Sequence, residues 1–228
     1  MVESIAFIGT SAVGIILVGF FQGMLHATDA DHIAAVGTMV SEKRARWKTV
    51  LVGAWWGFGH SVSLMVAGML VIFLDFEITE TTEARLEGLV GLMLLVLGLN
   101  VLFRIWRDSR NLKTSELSHH HPHTTGDELS RLPRDMFAFR AIVVGMVHGL
   151  AGSAGLLLVV LAAVDSKILG VIYIGVFGIG SMLGMGLMSG IIGLPFMIVD
   201  SEKGLLAVKF LSGIVSVAMG VYLTALSL

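Results

Sequence analysis

Six apolar runs, separated by charged segments, leave this chain few folds to choose from. They extend from Ile5 to Val40, Val50 to Leu74, Leu86 to Ile105, Phe139 to Val164, Ile168 to Val199 and Leu205 to Leu226. A hydrocarbon core of ~30 Å is crossed by ~20 helical residues, so these lengths predict six membrane helical elements. Only 14% of residues are charged and the mean hydropathy is +0.88, which excludes an ordinary soluble domain. No run alternates in the ~10-residue manner of a barrel strand. The 28 glycines suit helices packed closely in lipid. The expected fold class is an all-α integral membrane protein with several spans.

The opening "MVESIAFIG" has Glu3 and no basic region before its apolar stretch, so it reads as a retained span and not a signal peptide. There is no cysteine, which removes disulfides and thiolate metal ligands; a bound metal would use His, Asp, Glu or Met. A net charge of −2 gives no reason to expect nucleic acid as a partner. Basic residues near helix ends favour the cytoplasm. "SEKRARWK" (Lys43, Arg44, Arg46, Lys48) and the loop around residues 104 to 140 are both basic, while "DFEITETTEARLE" between them is acidic. Both basic loops can therefore face the cytoplasm, in a bacterial or archaeal cell membrane.

The sequence matches itself at an offset of 122 residues. Gly23, Met24 and His26 meet Gly145, Met146 and His148; Gly53 and Gly68 meet Gly175 and Gly190; Gly91 and Gly98 meet Gly213 and Gly220. Either glycines coincide by chance or the chain is duplicated. Three helices is an odd number, so a second copy would cross the bilayer in the opposite sense, the inverted-repeat plan of many transporters, whose substrate sites lie near the midplane. The expected division is residues 1–106, a His-containing cytoplasmic linker at 107–138, and residues 139–228.

The first run is the chemically unusual one, because "GMLHATDADHI" places His26, Asp29, Asp31 and His32 inside it. At 36 residues it would make ~54 Å of straight helix, too long for one crossing and too short for two. Taking His26 as 0°, Asp29 falls at ~300°, Asp31 at ~140° and His32 at ~240°, so a straight helix aims no common cavity at all four. The element is expected to bend or break near residues 23–32, where non-helical backbone must be surrounded by protein or water. Ionisable groups at that depth cost ~2.5–3.5 kcal/mol each, and a functional role is the default reading. The alternatives are carboxylates that only lock helices by pairing with the imidazoles, or a helix N-cap at the membrane surface. Imidazoles with carboxylates form a borderline N/O ligand set suited to first-row divalent ions such as Ni²⁺, Co²⁺ and Zn²⁺. His60, in "GAWWGFGHSVS", is either a further ligand or a lone imidazole bonded to backbone; its partner at the 122 offset is Met182. His148, in "GMVHGLAGSAG", repeats His26, but the acidic positions there are Ala151 and Ser153. The expected site is asymmetric.

"HATDADHI" fits the H-x4-D-H signature of the nickel/cobalt permease family, and "GFGHSVS" resembles that family's Gly-His-Ser motif. "GMVHGLAGSAGLLLVV" resembles the related membrane urease-accessory nickel transporters. Leu25 stands where the permease motif usually has arginine. The resemblance implies uptake of Ni²⁺ or Co²⁺ as transported substrate, with His26, Asp31, His32 and His60 required. Asp29 and His148 complete the candidate metal ligands. No cofactor and no enzymatic activity are expected. Competing functions are export of metal or of a small cationic solute, a membrane redox or hydrolytic enzyme, and a non-transporting metal-binding accessory protein. "SHHHPH" (His119, His120, His121, His123) in the long loop could receive the ion on the cytoplasmic side, or be an incidental linker tract. Met182, Met185 and Met188 read as adaptable filler between helices.

Overall fold

The computed structural model describes residues 12–41, 46–74, 79–115, 134–151, 166–199 and 201–227, and all regular structure among them is helical. Seven helices follow in order: α1 (Ala12–His26), α2 (Ala30–Val40), α3 (Arg46–Leu74), α4 (Glu80–Ser115), α5 (Arg134–Ala151), α6 (Lys167–Ile198) and α7 (Glu202–Leu226). Four are long and apolar enough to cross a bilayer, over Trp47–Leu74, Glu80–Arg110, Lys167–Ile198 and Glu202–Leu226. The α1–α2 pair makes a fifth crossing when counted as one bent span. Four of the six expected elements are spans by length and composition and the first is this bent pair; of the fourth, Phe139–Val164, the described residues hold the shorter apolar helix Ala138–Leu150 within α5, which falls short of a span, so four or five crossings are shown.

The first element is broken. Helix α1 stops at His26, α2 restarts at Ala30, and the two axes differ by 55°. Thr28 closes the turn, its backbone N–H and its hydroxyl both donating to the Leu25 carbonyl at 2.8 and 2.6 Å. Asp29 is the N-cap of α2 in extended conformation (φ −62°, ψ 148°), yet its side chain makes no capping bond. The usual cap residue has been diverted to another partner. The later helices start conventionally, Ser166 accepting from Leu169 N–H at 3.5 Å and Ser201 from Gly204 N–H at 3.1 Å.

Large aliphatic and aromatic side chains such as Phe21, Leu25, Phe58, Phe103, Ile179 and Leu211 are exposed, whereas histidines and serines are buried alongside alanines. Such an arrangement would aggregate in water. It is stable in lipid, where tails are as apolar as leucine and helices associate through small residues. The protein is a multi-pass integral membrane protein.

Helix α3 lies between α5 and α6, α1 packs on the far side of α6, and α4 pairs with α7. Helix α2 ties the two groups together through contacts to α4, α6 and α7. Glycines set the tightest crossings. A Cβ at Gly23 would collide with the Phe177 carbonyl oxygen and one at Gly180 with that of Phe20, so α1 and α6 touch backbone to backbone. Gly145 and Gly59 do the same between α5 and α3, against the carbonyls of Trp56 and Ile142. Between α4 and α7, a Cβ on Gly98 would lie 2.7 Å from the Gly213 oxygen, and one on Gly220 2.7 Å from that of Gly91.

Candidate metal centre

The break in the first element gathers the polar residues. Ending α1 at His26 and restarting at Ala30 swings the His26 ring to 4.4 Å, centroid to centroid, from His32 in the first turn of α2. His60, in the middle of α3, lies 5.3 Å from His26 and 5.4 Å from His32. His148, one turn from the end of α5, lies 4.2 Å from His32 and 6.0 Å from His60. Gly145 and Gly149 flank His148 and allow α5 to ride on the α3 backbone at Trp56 and His60, which carries the fourth imidazole inward. His32, His60 and His148 have no exposed surface and His26 retains 6%.

Both carboxylates of the motif grip imidazoles. Asp29 Oδ2 lies 2.7 Å from His26 Nδ1, within ion-pair distance. Asp31 Oδ1 accepts from both the backbone N–H and Nδ1 of His32, at 2.8 and 2.9 Å, while its Oδ2 accepts from His148 Nε2 at 3.0 Å. An ionised carboxylate only accepts, so the two Asp31 bonds assign the ring protons to Nδ1 of His32 and Nε2 of His148, and the close approach of Asp29 favours Nδ1 for that of His26. The remaining nitrogens then hold lone pairs. His26 Nε2, His32 Nε2, both His60 nitrogens and His148 Nδ1 are buried without a hydrogen-bond partner. Five unpartnered nitrogens in one apolar interior are a large unmet demand, since a buried polar atom left unpaired costs about 1–3 kcal/mol.

A metal ion is one ligand whose chemistry would meet that demand. One ligand atom each from His26, His32 and His60 lie within 4.8 Å of one another, and so do one each from Asp31, His32 and His148. The carboxylate–imidazole pairing is the arrangement that orients a metal-binding histidine and raises its basicity. Helix α1 ends at the site, so the negative end of its dipole favours a cation there. All six sequence-derived candidates, His26, Asp29, Asp31, His32, His60 and His148, thus belong to one connected cluster. His119, His120, His121 and His123 lie outside the described residues, as does most of the stretch following Ala151.

Trp56 was not legible as part of this site. It is fully buried one turn before His60, its ring lies 5.3 Å from His32 and 5.4 Å from His148, and its Nε1–H has no partner. Its position four residues before a candidate ligand was the only available signal. Phe177 closes another side, 5.5 Å from His26. One turn before His26 in α1, Gln22 accepts a hydrogen bond from the Tyr173 hydroxyl of α6.

The sequence profile of the NicO family, described as high-affinity nickel-transport protein, matches residues 12–224. The urease accessory protein UreH of Bacillus sp. (strain TB-90) is 34% identical over 182 residues, covering 80% of this chain and 77% of that protein. Two Arabidopsis thaliana proteins, chloroplast protein FOR GROWTH AND FERTILITY 2 and 1, are 32% and 28% identical over 173 and 183 residues. The chain spans 44% and 48% of their lengths, less than half of each. No solved structure matches the chain.

Proposed function

The chain belongs to the NicO family of high-affinity nickel-transport proteins, and from that premise we propose that it is a permease carrying Ni²⁺, with Co²⁺ as a second substrate, inward across the membrane. The observation that carries this reading is the convergence of three buried imidazoles, His26, His32 and His60, at a helix break, with unpartnered nitrogens on each. In the proposed loaded state Nε2 of His26, Nε2 of His32 and one nitrogen of His60 bind the ion. Asp29 and Asp31 hold the first two rings by their Nδ1–H groups and offset the ion's charge. Nitrogen donors of this kind suit late first-row ions, and selectivity among them comes from geometry.

The transport cycle rests on two inverted repeats, approximately residues 1–106 and 139–228, rocking about the broken element. The close crossings support this. The α1–α6 contacts of Gly23 and Gly180 have counterparts in the α5–α3 contacts of Gly145 and Gly59, and the Gly98–Gly213 and Gly91–Gly220 approaches exchange with each other under the same relation. Gly59 and Gly180 are 121 positions apart, so in α3 and α6 this pairing sets Ser181 opposite His60 in place of Met182.

Radiolabelled Ni²⁺ uptake into vesicles tests the reading, using wild type, His26→Ala and His60→Ala with Co²⁺, Zn²⁺ and Cu⁺ as competitors. Loss of uptake in both variants is expected, with Co²⁺ the strongest competitor. Wild-type uptake in either variant would sink the proposed site.

A further inference from the structure

Two groups of ligand atoms share His32. The first, His26, His32 and His60, comes from α1, α2 and α3 only; the second, Asp31, His32 and His148, joins α2 to α5. We propose that these are two alternative positions for a single ion, and that transport passes the ion from the first to the second with His32 as the shared pivot. This rests on the permease reading above and assigns it an order of events.

The two faces of the His32 ring support the pivot. Nε2 is unpartnered and belongs with His26 and His60, whereas Nδ1 faces Asp31, whose other oxygen holds His148. In the first position the ion takes Nε2 of His32, and the Nδ1–H bond to Asp31 stays intact. In the second, the ion takes the place of the two N–H hydrogens that now lie between Asp31 and the two imidazoles. His32 then binds through Nδ1 and His148 through Nε2, while each ring keeps one proton on its other nitrogen. Those nitrogens are His32 Nε2 and His148 Nδ1, both unpartnered in the present arrangement. Proton number on each ring is unchanged. The second position has a carboxylate in place of one of the three imidazoles, so an ion moving there meets a negative charge directly.

The consequence lies in which helices are tied. An ion in the first position contacts the first half of the chain alone, while an ion in the second links α2 to α5 and hence one half to the other. The halves are already joined at this point by the 3.0 Å Asp31–His148 bond, which the ion would replace with a stronger bridge. Sharing His32 also forbids simultaneous occupancy by two ions.

Equilibrium dialysis of ⁶³Ni²⁺ against the purified full chain, paired with ⁶³Ni²⁺ uptake in proteoliposomes, tests this. Wild type should bind one ion per chain. His148→Gln should still bind one ion, at the first position, and lose uptake. The double variant His26→Gln/His60→Gln should bind one ion more weakly, at the second position. His32→Gln should bind none. Monodispersity and helicity measured by circular dichroism select the variants that fold, and His148→Asn serves where His148→Gln does not. Two ions per wild-type chain would overturn the shared pivot, as would loss of binding in folded His148→Gln or in the folded double variant. Wild type that binds and transports Ni²⁺ while His148→Gln loses binding would refute only the two-position scheme. Wild type that does neither would refute the permease reading itself.

Discussion

Asp29 offers the sharpest separation between a group that binds the ion and a group that orients a ligand. Its carboxylate sits 2.7 Å from His26 Nδ1 with 54% of the side chain exposed, against 4% for His26. A hydrogen bond to a charged partner contributes about 1.5–3 kcal/mol. Partial exposure screens this one, so the lower end applies. At 1.4 kcal/mol per factor of ten, Asp29→Ala should weaken Ni²⁺ binding by about tenfold. That is the lower edge of the 10–100-fold loss typical when the outer partner of a metal-binding histidine is removed. Asp29→Asn keeps an acceptor oxygen for Nδ1–H but drops the charge, and a neutral bond contributes about 1 kcal/mol less, so its loss should be about fivefold. Because the Asp29 side chain makes no capping bond to α2, any fall in melting temperature should be limited to the loss of its contact with His26. The assay is ⁶³Ni²⁺ equilibrium binding together with uptake kinetics, the effect appearing in Kd and KM in the order wild type, Asn, Ala. Wild-type affinity in the Ala variant would refute the orienting role. Complete loss of binding would refute it equally, because that is how removal of a direct ligand behaves.

Gly145→Ala forces a methyl group onto the Trp56 carbonyl and should destabilise the protein by about 1–3 kcal/mol, whereas Gly186→Ala, whose nearest neighbour would be 3.6 Å away, should be tolerated; thermal unfolding in detergent compares them. Tyr173→Phe removes the α1–α6 bond to Gln22 and should cost about 0.6 kcal/mol, the usual value for interhelical hydrogen bonds in membranes, read by the same unfolding assay. The chain has no cysteine, so single substitutions report topology with an impermeant thiol reagent. Trp47→Cys, Arg107→Cys and Lys203→Cys should label from one side and Glu80→Cys and Lys167→Cys from the other; any exchange between these sets would refute the inverted arrangement.

The break was legible because two independent quantities conflicted, the length of the run and the angular spread of its four polar residues. The close packing was legible in the glycines, since the absence of a Cβ admits the closest backbone contact in lipid. What could not be read was the direction each polar group faces. Whether Asp29 caps α2 or holds His26 depends on the dihedrals of residues 27–29, and a sequence with a good N-cap residue argues for the cap. Trp56 was hidden for a related reason, as a tryptophan in an apolar helix is ordinary until its Nε1–H is found without a partner. Helix ends were also obscured by hydropathy, which reports what lies in the bilayer and not where hydrogen bonding stops. The run Leu86–Ile105 therefore became the 36-residue α4, extending from Glu80 to Ser115.

The distribution of charge gives the asymmetry between the halves a physical reason. Both carboxylates of the cluster, Asp29 and Asp31, belong to the first half, and the second contributes His148 and the small residues around it. On the proposed reading two carboxylates and a divalent ion sum to zero formal charge, so the loaded centre can move within the apolar interior without carrying a net charge. Without the ion, Asp31 remains negative and depends on N–H donors from both halves, His32 and His148, for its compensation. Separating the halves in that state would strip one donor from a buried carboxylate, and breaking a buried pair in this way costs several kcal/mol. Acidic residues duplicated in the second half would double that burden with no second ion to neutralise them. On the same reading, Ala151 and Ser153 where a duplicate of the first half would carry acids, with His148 where it would carry His26, is the pattern that keeps one neutral loaded state and penalises movement when the site is empty.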